Sequence, residues 1–222
     1  MNLPTKLTFS RIIATVILII TLFVLSIVSV HPGFSTPLLG NSRINLIFLV
    51  VFGFFVIASY TDHLDGKLAR KNNQVTDLGK FLDPVADKLL VNTMLIFLCA
   101  PSIFAPYAVE QISFIPVWCV IVMVARDIVV DALRFIAAQK GVVIAANIFG
   151  KLKTVLQMVA IGAVLLNDFP FHYIYPNNPY PQYLSVTAFL VYFATLTSLI
   201  SGIIYVVQNR KAFLEERNNG QV

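Results

Sequence analysis

Four aspartates define the chemistry open to this chain. Asp62 and Asp65 stand three residues apart, Asp83 and Asp87 four apart, and each pair abuts a long apolar run, 44–60 before and 89–100 after. If both runs are helical, steps of three and four residues place each pair on one face of its helix. The stretch 71–80 between them is short enough to turn the chain back, so the two pairs are expected to face each other near one membrane surface. Converging carboxylates repel, and an Asp at the centre of a membrane helix costs about 2.5–3.5 kcal/mol, less near the interface. A cation is therefore expected among them. An all-oxygen ligand set suits a hard ion such as Mg²⁺ or Mn²⁺, and four carboxylates suffice for two ions of the kind that clamp phosphoryl oxygens. The alternative is a solvated polar loop between two membrane helices.

The residues between the aspartates narrow the choice. Gly66, Ala69, Arg70 and Gly79 complete the pattern D-x2-D-G-x2-A-R-x8-G-x3-D-x3-D, eight fixed positions over twenty-six residues. This stretch resembles the signature of the CDP-alcohol phosphatidyltransferases, membrane enzymes that move a phosphatidyl or related group from a CDP-linked donor to an alcohol. The resemblance implies that Asp62, Asp65, Asp83 and Asp87 ligate two divalent cations and that Asp87 is the general base. It also implies that Asp65, Gly66, Ala69 and Arg70 lie on the donor side, with the small residues making room for cytidine and Arg70 near the diphosphate. Those roles agree with elementary chemistry: a missing or short side chain lets a nucleotide approach the backbone, and guanidinium pairs well with phosphate oxygens. Gly79 either serves the same approach or starts the turn into the third helix. His63 falls on another helix face and is a bystander.

The elements that must carry these residues are membrane helices. A 222-residue chain with 58% hydrophobic and 12% charged residues is not an ordinary soluble domain. The expected fold is all-α, a single polytopic domain over 1–222 with six spans: 12–30, about 44–70, about 79–100, about 116–140, one starting before Lys151 and running to Asn167, and 184–207. Residues 31–43 hold Pro32, Gly33, Pro37 and Gly40 and read as a loop. The stretch 169–183, with Phe171, Tyr173, Tyr175 and Tyr180, reads as an interfacial aromatic belt rather than a substrate lid. Cys99 and Cys119 sit in apolar runs and give no disulfide framework. Residues 1–10 show no cleavage pattern, so the first span is expected to be retained.

Charge then orients the chain. With six spans, fifteen of the sixteen Lys and Arg residues fall on one side and only Arg43 on the other. By the positive-inside rule, both termini and the aspartate cluster are expected on the cytoplasmic face of the plasma membrane. The net charge of +5 is explained by that placement, and no nucleic-acid partner is expected.

On the same side, Arg126, Arg134, Lys151 and Lys153 form a second cationic set that suits the phosphate of an acceptor such as glycerol 3-phosphate. The alternatives are that Arg126 pairs with Asp127 or Asp131 and that the lysines only obey the charge rule. Asn2-Leu3-Pro4-Thr5 leading to Thr8 and Arg11, the run 81–88, the Arg126-Asp127 to Arg134 block and Gly150-Lys151 with Lys153-Thr154 resemble the bacterial members that take glycerol 3-phosphate. Asp127 stands where such members often carry glutamate. The resemblance implies CDP-diacylglycerol as donor, drawn from membrane lipid, and a homodimer. Rival readings are the same chemistry on serine, inositol phosphate or a lipid alcohol, and a divalent-cation transporter. The transporter predicts ionisable residues along the depth of several spans. A purely structural scaffold leaves the eight-position pattern unexplained.

Overall fold

A computed structural model describes residues 3–28, 44–71, 77–99, 115–139, 148–171 and 184–214. They form six long helices: α1 (Leu3–Val28), α2 (Leu46–Lys71), α3 (Asp77–Cys99), α4 (Val117–Gln139), α5 (Ile148–Leu165) and α6 (Val186–Leu214). No strand occurs among the described residues. Each helix covers an apolar run of the sequence, and several ends are fixed by side chains. Asn45 Oδ1 accepts the Ile47 N–H at 2.9 Å and caps α2. Ser185 Oγ accepts the Ala188 N–H at 3.1 Å at the start of α6. The turn leaving α5 is tied to the same helix start, where Asp168 Oδ1 accepts the Thr187 N–H at 3.0 Å and its hydroxyl at 2.5 Å. Asn167 and Asp168 take left-handed φ of 53° and 64° there, a conformation Asn and Asp tolerate better than most residues.

Two boundaries differ from expectation. α1 begins at Leu3 rather than near Ile12, because Pro4 is tolerated in a first helical turn, where its missing N–H has no partner to lose. α6 continues from Val207 to Leu214, since Gln208, Arg210, Lys211 and Ala212 are good helix formers although they are not apolar. The expected loops 31–43 and 101–114, the aromatic stretch from 172 to 183 and the tail from 215 lie outside the described residues.

Two segments, Ile148–Leu165 and Val186–Arg210, are long and apolar enough to cross a membrane. Among the described residues, α1, α2 and α3 contribute the apolar stretches 8–24, 46–61 and 88–99. Of the six expected spans, all six occur as helices and two of them are long and apolar enough to cross a membrane among the described residues. At a rise of about 1.5 Å per residue, the 26 residues of α1 and of α2 each extend about 39 Å.

The packing separates an inner stripe from an outer face on every helix. α1 lies on α3 and α2, α6 lies on both α4 and α5, and α2, α3 and α5 join the two groups. The shared core includes Leu18 and Leu22, Phe48 and Phe55, Met94 and Leu98, Met123, Ile161 and Val191. Phe48 meets Phe97 edge to face at 5.6 Å. α2 and α5 approach closely at Gly162, where a methyl group would stand 3.2 Å from the Phe52 ring. The outward residues are also apolar: Ile13, Ile17, Ile20 and Phe23 on α1, Ile121 and Ile128 on α4, and Phe189, Phe193, Leu196 and Ile203 on α6 are all exposed. A surface of that kind suits hydrocarbon and would be a liability in water.

Candidate functional site

The inner stripes change character along the bundle. On α1, buried Leu18 and Leu22 are preceded by buried Thr8, Arg11 and Thr15. On α2, buried Phe48, Val51 and Phe55 are followed at the next step by Ser59, whose Oγ is enclosed. On α5, buried Ala160, Ile161 and Val164 are preceded by buried Lys153 and Gln157. On α6, Val191 and Ala194 give way to Ser198 and Ser201, and on α4 Cys119 and Met123 give way to Asp127. Thus the first turns of α1 and α5 and the later turns of α2, α4 and α6 carry the polar half, as expected if the helices alternate in direction. In the other half, the described parts of these helices hold no Asp, Glu, Lys, Arg or His.

The signature occupies the matching ends of α2 and α3. Asp62 and Asp65 stand on the last turns of α2, with Asp62 one step beyond Ser59 in the register 48, 51, 55, 59, 62. Asp83 and Asp87 stand in the first half of α3 and extend the register of buried Leu90, Met94 and Leu98. Both helices are therefore formed where the spacing argument required them. The side chains of Asp62, Asp65, Gly66, Ala69, Arg70, Gly79, Asp83 and Asp87 lie outside those described, and so does the proposed metal-ligand geometry.

Arg126, Asp127 and Lys153 converge. Lys153 Nζ donates to both carboxylate oxygens of Asp127, at 2.8 and 2.6 Å, and Arg126 Nη1 donates to Asp127 Oδ1 at 3.0 Å. The Arg126 side chain is 13% exposed, and those of Asp127 and Lys153 are each 7% exposed. Arg126 Nη2 donates to Ser201 Oγ at 2.7 Å, which brings α6 into the network. Pairing of Arg126 with Asp127, one of the alternatives open from sequence, is thus realised, and the carboxylate is shared with Lys153.

The other two members of the expected cationic set are elsewhere. Lys151 is exposed; two residues from Lys153 is about 200° around a helix, so both cannot face inward. Arg134 is exposed with its guanidinium 5.3 Å from the centre of the Tyr205 ring, a cation–π contact. Lys88, next to Asp87, pairs with Asp131 of α4, one turn beyond Asp127. That ion pair links the signature helix to the helix bearing the cation network. Sequence reasoning missed Ser198, Ser201 and Gly202. The available signal was the series Ser198, Ser201-Gly202 and Tyr205, spaced to fall on one face of an apolar helix.

Comparison with known proteins accounts for the arrangement. Residues 1–200 match the family model described as CDP-alcohol phosphatidyltransferase. A Bacillus subtilis (strain 168) protein named CDP-diacylglycerol–glycerol-3-phosphate 3-phosphatidyltransferase is 41% identical over 171 residues, 77% of this chain and 79% of the relative. Proteins of the same name from Mycoplasma pneumoniae and Rickettsia bellii are 37% and 33% identical. Those matches cover 93% and 96% of this chain, and 87% and 97% of the respective relatives. With its signature on the last turns of α2 and the first half of α3 and a family match over residues 1–200, the chain belongs to the CDP-alcohol phosphatidyltransferase family.

Proposed function

We propose that this protein transfers the phosphatidyl group of CDP-diacylglycerol to glycerol 3-phosphate, releasing CMP and forming phosphatidylglycerophosphate. The names of the relatives support this choice of donor and acceptor. The structural observation that carries it is the Lys88–Asp131 ion pair, which sets the helix of Asp83 and Asp87 against the helix of Arg126 and Asp127. A donor held at the first helix and an anionic acceptor held at the second would then meet within one polar end of the bundle.

In the displacement, the primary hydroxyl oxygen of glycerol 3-phosphate forms a bond to the lipid-linked phosphorus of the donor. The bond from that phosphorus to the CMP oxygen breaks. Asp87 takes the hydroxyl proton, the general-base role expected of a carboxylate at that position. Asp62, Asp65, Asp83 and Asp87 offer only oxygen ligands, a donor set that fits Mg²⁺ or Mn²⁺, and two such ions would neutralise charge on the diphosphate and the leaving CMP. Arg70, with Gly66, Ala69 and Gly79 leaving space beside it, binds the nucleotide end. Arg126 and Lys153 grip the acceptor phosphate by charge-assisted hydrogen bonds, with Arg134 and Lys151 nearer its entry.

The whole chain acts as one membrane domain of six spans, with both termini and the site on the cytoplasmic face, and works as a homodimer. Acyl chains enter sideways from lipid and the acceptor enters from the aqueous side. Supplying purified protein and CDP-diacylglycerol with glycerol 3-phosphate, serine or inositol phosphate tests the assignment. CMP release with glycerol 3-phosphate is expected; release with serine but not with glycerol 3-phosphate would overturn the acceptor.

A further inference from the structure

The seat of Arg126 is supplied by a part of the chain that carries none of the family signature. Its guanidinium is anchored on two sides, Nη1 on Asp127 at 3.0 Å and Nη2 on Ser201 at 2.7 Å. Behind its stem lies Gly202. A methyl group at that position would stand 2.8 Å from Cγ, 3.4 Å from Nε and 3.7 Å from Cδ of Arg126. Carbon atoms do not approach to 2.8 Å, and Cγ is the middle of the side chain rather than its free end. The stem would have to move while both terminal nitrogens are held, so the hydrogen bonds to Asp127 and Ser201 would be given up first.

Ser201 and Gly202 are both buried, and Ser201 is only 3% exposed. Arg126 Nε is enclosed against the glycine and has no hydrogen-bond partner among the described residues. A guanidinium carries five N–H donors. With Nε covered, an incoming anion is met by the Nη1 and Nη2 end, whose plane is set by Asp127 and Ser201.

We propose that the Ser201-Gly202 step of α6 is a positioning element for the acceptor phosphate, the serine setting the plane of the Arg126 guanidinium and the glycine leaving room for its stem. The proposal rests on the reading of Arg126 as a phosphate-gripping residue. It assigns specificity for an anionic acceptor to a helix that lies outside the signature of residues 62–87. A neutral acceptor would be insensitive to these two positions.

The test uses the purified full-length protein and separate KM values for glycerol 3-phosphate and CDP-diacylglycerol in Gly202→Ala, Ser201→Ala, Arg126→Ala and the double variant Gly202→Ala/Arg126→Ala. Loss of a charge-assisted hydrogen bond corresponds to about a tenfold change in binding. Gly202→Ala is expected to raise KM for glycerol 3-phosphate about tenfold and Ser201→Ala about threefold, with KM for the lipid donor within about twofold in both. On the Arg126→Ala background, Gly202→Ala should add nothing, because no stem remains to be displaced. A parallel rise in both KM values, or an undiminished effect of Gly202→Ala in the double variant, would overturn the proposal. If Gly202→Ala is not recovered folded, the split between the two KM values in Ser201→Ala decides alone. An unchanged KM for glycerol 3-phosphate in Arg126→Ala removes the acceptor role of Arg126 and the positioning role with it. A raised KM there, with Ser201→Ala and Gly202→Ala both silent, removes only the positioning role.

Discussion

Asp127 is shared by two cations, and that sharing decides what substitutions around it do. A buried carboxylate left with one partner instead of two loses charge-assisted hydrogen bonds worth about 1.5–3 kcal/mol each. Lys153→Met is therefore expected to destabilise the protein by about 3 kcal/mol and to raise KM for glycerol 3-phosphate about tenfold or more. Lys151→Met, on the exposed face of the same helix, should leave the melting temperature unchanged. Thermal unfolding in detergent and initial-rate kinetics distinguish the two lysines, and equal effects would contradict the division of labour drawn from their faces. Asp87→Asn keeps the shape of the side chain but not its basicity. It should retain binding of CDP-diacylglycerol and lose about 10²- to 10⁴-fold in turnover. Full turnover in that variant would exclude Asp87 as the base.

At the scale of the helix, what matters is how the two halves of the site are held together. Lys88 and Asp131 form a side-chain link between α3 and α4, and both are partly exposed, at 30% and 40%. Ion pairs of that exposure contribute little to stability, about 0–1 kcal/mol. Asp131→Asn is therefore expected to shift the melting temperature little while lowering kcat several-fold, because α3 would no longer be held in register against α4. A lowered melting temperature with unchanged kcat would make the pair merely structural.

Helix existence and approximate ends were legible from the apolar runs, and the positions of the aspartates on α2 and α3 from their spacing. Ser201 was not, for a physical reason. Hydroxyl residues in apolar helices commonly bond back to their own backbone one turn earlier, as Thr15, Thr154, Thr195 and Thr197 do here at 2.8–3.1 Å. Nothing in the sequence separates a serine that does this from one that reaches 75 residues back to an arginine. The opposed faces of Lys151 and Lys153 were, by contrast, available from helical periodicity alone.

At the scale of the molecule, the buried charged side chains of the described helices, Arg11, Asp127 and Lys153, gather at one end of the bundle, while the buried polar residues at the other, Asn45, Asn167 and Thr187, sit at helix ends. This is the distribution expected of an enzyme that draws a lipid from the bilayer and a phosphorylated alcohol from water. It disfavours a transport path, which would need ionisable groups through the full depth. It also makes the orientation testable. With Cys99 and Cys119 replaced by alanine, Arg43→Cys should react with a membrane-impermeant thiol reagent from outside intact cells, and Arg217→Cys only in inverted vesicles. Labelling of both from the same side would contradict the arrangement with six spans.

The claim beneath all of this is that the ends of α2 and α3 hold divalent cations where the liponucleotide is cleaved. The most direct measurement is titration of the purified protein with Mn²⁺, following bound ion by electron paramagnetic resonance and CMP release on the same samples, in the unaltered protein and in Asp65→Asn and Asp83→Asn. About two bound Mn²⁺ per chain in the presence of CDP-diacylglycerol are expected, with bound metal and turnover lost together in both variants. Undiminished CMP release from variants that no longer bind Mn²⁺, or full metal binding in both of them, would contradict the account.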